Sequence, residues 1–73
     1  MRLSELRYGQ SAKIRDIMGQ DALSIRLIDL GFLPPARVIK TFSAPSGDPM
    51  AVRLRGYTLS LRREEADRVE VEL

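Results

Sequence analysis

The sequence predicts a mostly β domain, a small antiparallel barrel of about five strands with one α-helix inserted between the first and second strands. Three observations carry that reading. Apolar residues alternate in several short runs, the stretch from Met50 to Leu61 switches phase across a two-residue turn, and only Asp21 to Leu30 has helical spacing. With 73 residues there is room for one domain, 1–73, which buries only about 60% of its unfolded surface. Closing the sheet would remove the edges that an open sheet of this size leaves exposed.

Tyr8-Gly9-Gln10-Ser11 reads as a turn, followed by a strand through Ala12, Ile14 and Ile17 whose alternation fails at Asp16, as at a bulge. Asp21 is placed to cap a helix running to Leu30, and Gly31 falls where a left-handed C-terminal cap belongs. At about 100° per residue, Leu23, Leu27 and Leu30 form a core stripe, while Ile25 and Ile28 point away from it. The helix therefore has two apolar faces. Pro34-Pro35 stops it and holds Phe32 and Leu33 in a rigid elbow.

A strand follows, with Val38, Lys40 and Phe42 on one side and Arg37, Ile39 and Thr41 on the other. Ala44-Pro45-Ser46-Gly47-Asp48-Pro49 is a dense turn signal, with Asp48 extended before proline and able to bond backbone within the turn. Met50, Val52 and Leu54 alternate in one phase and Tyr57, Leu59 and Leu61 in the other. A hairpin turning at Arg55-Gly56 satisfies both, pairing Leu54 with Tyr57, Val52 with Leu59 and Met50 with Leu61 on the core face. Arg62 to Asp67 has the composition of one helical turn, and Val69, Val71 and Leu73 alternate in a closing strand.

The composition excludes much chemistry. There is no Cys and no His, which removes disulfides, thiol and imidazole catalysis and ordinary zinc sites. With oxygen ligands alone, no metal site of consequence and no cofactor are expected. The longest charge-free runs, Leu30–Ala36 and Thr41–Gly47, are far below the roughly 18 residues of a membrane helix. The first residues lack the apolar run of a secretory signal, so a cytoplasmic address without membrane insertion is expected. No phosphate-cradling glycine loop occurs, and Glu64, Glu65 and Asp67 read as a solvated helical turn, so the chain is not expected to be an enzyme.

A net charge of +2 does not point to nucleic acid. Arg53, Arg55, Arg62 and Arg63 make a basic patch, but Tyr57 falls in the core phase, and Phe32 and Phe42 read as packed, which leaves no stacking platform. The second apolar helix face is the better signal, since a strip left over after a core is satisfied marks a partner surface. The plainer alternative is that Ile25 and Ile28 lie under the N-terminal segment around Leu3 and Leu6.

Arg26-Leu27-x-x-Leu30-Gly31-Phe32, Ala44-Pro45-x-Gly47-Asp48-Pro49, Gly56-Tyr57-x-Leu59-x-Leu61-Arg62-x-x-Glu65-Ala66 and Val69-x-Val71, in this order, resemble the FeoA family of ferrous iron transport proteins. The resemblance runs from about Leu3 to Val71 and implies an SH3-like barrel with a helix after its first strand. It also implies a cytoplasmic, non-catalytic accessory, peripheral to the inner membrane through a FeoB-type ferrous iron permease that carries a cytoplasmic GTP-binding domain. On that reading Ile25, Ile28 and Leu33 are expected as contacts and Arg26 as the orienting charge, while Gly31, Pro45, Gly47, Asp48, Pro49 and Gly56 serve the backbone. The family usually has Pro-Gly where this chain has Pro34-Pro35, so the elbow is expected to be built differently. Weak self-association stays open. The rival readings are an SH3-like module of a DtxR-type metal-dependent regulator and a small nucleic-acid-binding barrel.

Overall fold

The computed structural model describes residues 1–73. A 3-10 turn at Leu3–Glu5 precedes β1 (Ser11–Ile17), α1 (Ala22–Asp29), β2 (Arg37–Ser43), β3 (Met50–Leu54), β4 (Tyr57–Leu61), α2 (Arg63–Ala66) and β5 (Val69–Glu72). The five strands are antiparallel neighbours in the order β4-β3-β2-β1-β5. The expected element order and the helix between the first two strands are therefore observed, but the sheet is open. The chain passes from β4 to β5 through α2 without pairing the two strands. Ala66 of α2 and Leu3 of the 3-10 turn are fully buried there, and the Ser4 hydroxyl donates to the Asp67 carboxylate.

The free edge of β5 is covered by the chain's own beginning. The Val71 N–H donates to the Met1 carbonyl at 2.7 Å, the Met1 ammonium donates to the Val71 carbonyl at 3.0 Å, and Arg2 bridges to Glu70. This places Leu3 and Leu6 inside the molecule, in one core with Ile14, Leu27, Phe32, Val38, Met50, Val52, Leu54, Leu61, Val69 and Val71. They do not cover the outer face of α1.

Pairing in the β3–β4 hairpin is as the alternation requires: Leu54 opposite Tyr57, Val52 opposite Leu59, Met50 opposite Leu61. Arg55 has φ 52° and Gly56 φ 84°, and positive φ at both central residues is the type I′ turn whose twist suits a hairpin. Glycine takes that geometry freely and arginine does not. Arg55→Asn is therefore expected to gain roughly 1 kcal/mol and raise the thermal midpoint by about 4–8 °C; an unchanged melting curve would show the turn to be unstrained.

Two aromatic residues depart from expectation. Phe42 is 54% exposed because the register between β2 and β3 shifts between Lys40 and Phe42. The extra residue, Thr41, reverses the phase, so Ser43 rather than Phe42 shares a side with buried Met50. Tyr57 sits opposite Leu54 as predicted and is nevertheless 71% exposed. Leu54 is covered by the turn that follows α1, with Gly31 backed against its side chain, whereas Tyr57 stays at the surface on the edge strand. The bulge expected in β1 is present between Ile14 and Asp16.

Candidate functional site

Helix α1 is built and held by groups at both ends. The Asp21 carboxylate accepts the Ser24 N–H at 3.3 Å, and the buried Ser24 hydroxyl donates to the Asp21 carbonyl at 2.8 Å, closing the first turn. At the other end the Leu30 and Gly31 N–H groups donate back to Arg26 and Ile28. Gly31, at φ 109°, then turns the chain so that Phe32 enters the core with no exposure. The inward face consists of Leu27 and Ser24 with half-buried Leu23. Leu30, expected in that stripe, is exposed: it is the C-cap residue, one position beyond the end of α1, where the chain already turns toward Gly31.

Opposite the core, Ile25 is 57% exposed and Ile28 39%. Three residues apart, they are neighbours on one helix face. Leu33, 40% exposed, stands beyond the cap, in an elbow closed by the Ala36 N–H donating to the Leu33 carbonyl across a cis Pro34–Pro35 bond. The three apolar residues singled out in the sequence are thus all at the surface. Arg26 faces another way. Its guanidinium donates to Glu65 Oε2 at 3.1 Å, while Glu65 Oε1 accepts the Arg62 N–H at 2.8 Å.

Glu65 corrects a second expectation, for it is 7% exposed rather than solvated. It joins α2 to α1. Sequence reasoning missed it, although Arg62-x-x-Glu65 at the start of a helical turn is the spacing by which a carboxylate reaches back to an N–H. Asp48 departs similarly: its carboxylate accepts the Arg63 N–H at 3.2 Å and lies 3.8 Å from the Arg62 guanidinium, tying the Pro45–Pro49 turn to α2 instead of bonding within it.

The start of α1 is moored by a two-bond pair, with Arg68 donating to both Asp21 carboxylate oxygens at 2.8 Å. The Arg68 guanidinium, helped by the Ser24 N–H, holds the Asp21 carboxyl far below the usual aspartate range, and Asp21 in turn raises Arg68. A depressed carboxylate stabilises the fold at pH above its unfolded value and loses that contribution as pH falls. The difference in thermal midpoint between the native chain and Asp21→Asn is therefore expected to narrow on going from about pH 6 to about pH 2. A constant difference would mean that the pair adds no pH-linked stability. No three carboxylates converge in a manner suited to a metal ion, and no helix is long and apolar enough to cross a membrane.

The FeoA domain model matches residues 1–73. The chain belongs to the FeoA family. It is 40% identical over 73 residues to the Fe(2+) transport protein A/Fe(2+) transporter FeoB fusion protein of Porphyromonas gingivalis, covering all of this FeoA chain and 9% of that relative's length. Iron(II) transport protein A from Clostridium thermocellum is 34% identical with a TM-score of 0.94, over 100% of this chain and 45% of the other. Stenotrophomonas maltophilia FeoA complexed with zinc, described as a prokaryotic SH3 domain protein, is 34% identical with a TM-score of 0.89, over 99% and 89%. A manganese-dependent transcriptional repressor shares the fold alone, at 17% identity and a TM-score of 0.86 over 100% of this chain and 41% of the repressor. The regulator-module reading thus has fold similarity behind it and the FeoA reading has sequence.

Proposed function

We propose that this FeoA domain is a cytoplasmic, non-catalytic accessory of ferrous iron uptake that docks on the cytoplasmic GTP-binding part of a FeoB-type permease. The observation that carries the reading is the exposed pair Ile25 and Ile28 on a helix whose inward face is already satisfied by Leu27 and Ser24. A cut-off apolar strip on a fixed helix is suited to another protein's surface. The relative in which a FeoA sequence and a FeoB transporter share one polypeptide supports the choice of partner. Leu33 extends the contact beyond the cap. Arg26 keeps a side chain 64% exposed while bonded to Glu65, which leaves it free to orient an acidic group of the partner.

Docking of this kind regulates transport when the permease's states bind the domain unequally, since equal affinity shifts nothing. Titration of the isotope-labelled domain with the permease's soluble GTP-binding part is expected to give saturable binding, with shifts centred on Ile25, Ile28 and Leu33. No binding at about 100 µM, where an affinity weaker than about −5 kcal/mol would go unseen, removes the reading.

A further inference from the structure

The two edges of the sheet are treated differently. That of β5 is covered by Met1 and Arg2, whereas that of β4 carries no strand. In a two-residue type I′ hairpin the residues flanking the turn form a hydrogen-bonded pair, so Tyr57, Leu59 and Leu61 bond to β3. The backbone N–H and C=O groups of Thr58 and Ser60 consequently point outward. Both residues are exposed, and no turn, cap or side chain bonds to either. The result is a short row of strong donors and acceptors with the spacing of a strand.

The charge around this edge has one sign. From Pro49 to Arg63 there is no acidic residue and there are four arginines. Arg53 stands directly across from Thr58 in the register, Arg55 is in the turn, and Arg62 and Arg63 follow the strand's other end. Asp48 engages Arg62 and the Arg63 backbone, but Arg53 and Arg55 have no ion pair. Pairing β4 with the same strand of a second copy would bring arginines against arginines, which is unfavourable across a ladder. A strand bearing carboxylates meets both the backbone row and the charge.

We propose that the β4 edge accepts an extended acidic segment of another protein as a sixth strand, its backbone bonded to Thr58 and Ser60 and its carboxylates beside Arg53 and Arg55. Strand addition draws affinity from main-chain bonds and selectivity from side chains. This surface shares no residue with the helix contact proposed above, so either can fail without the other.

The probe is a synthetic peptide of about nine residues alternating glutamate with valine and threonine, a length that covers β4 and both flanks. It is titrated into the labelled domain while amide shifts and hydrogen exchange are followed. The expected result is slowed exchange at Thr58 and Ser60, binding weakened at least about tenfold by lysine in place of glutamate or by Arg53→Glu with Arg55→Glu, and loss of binding when alternate peptide amides are methylated. Ser60→Pro, which removes an outward N–H and leaves the ladder whole, blocks the same site. The methylated peptide leaves the protein untouched, so the test stands even if that variant misfolds. The proposal is overturned by no shift at about 1 mM peptide, by equal binding of methylated or lysine peptide, or by shifts on α1 instead of β4. It is equally overturned by a β4-paired dimer, or by a single-stranded oligonucleotide reproducing the pattern in place of the peptide.

Discussion

Phe32→Ala is expected to remove at least about a quarter of this domain's stability. Phe32 is one of the largest fully buried side chains in the molecule, and it lies between the cap of α1 and the elbow that leads into β2. Emptying such a site costs about 3–5 kcal/mol, from lost burial and from the cavity left behind. A chain of 73 residues has roughly 4–11 kcal/mol of stability in total. At about 4–8 °C for each kcal/mol in a domain of this size, the thermal midpoint should fall by about 12 °C at the least. A fall of only a few degrees would mean that neighbouring side chains close the hole, and that the helix end is not anchored by Phe32.

The second large effect is on association. Ile25→Asp combined with Ile28→Asp should reduce binding to the permease's soluble domain by at least about a hundredfold while the fold persists. Both side chains face solvent in the isolated domain, where such substitutions usually change stability by within about 0.5 kcal/mol each. In a complex the surface still exposed on the two isoleucines would together be worth about 1.5–3 kcal/mol, and each aspartate would instead lose its water. The two measurements separate folding from docking: the amide spectrum and melting curve should stay close to those of the native chain while affinity collapses. Unaltered affinity would remove these residues from the interface, and a collapsed spectrum would show that the helix face supports the fold.

Much of the fold is legible in the sequence because its signals are local. The phase reversal between Met50–Leu54 and Tyr57–Leu61 sets the hairpin register residue by residue, and Asp21 and Gly31 mark both ends of α1 through the bonds and φ they supply. The outward placing of Ile25 and Ile28 follows from helical angle alone. The remainder depends on events distant in sequence. One added residue at Thr41 turns Phe42 outward, and nothing in the alternation of β2 announces it. Leu3 and Leu6 fill the core because the chain's start pairs with Val71 and Glu70 at its far end. Glu65 is bonded to Arg26, 39 residues earlier, a pairing between α2 and α1 that no local pattern announces. Closure failed as an expectation for a similar reason, since an edge can be covered by a short unpredicted segment in place of another strand.

Helix α1 is fastened at three places: Asp21 to Arg68, Arg26 to Glu65, and the Gly31-Phe32 step into the interior. A protein that seated itself on Ile25 and Ile28 would meet a surface already in place, with little ordering left to do.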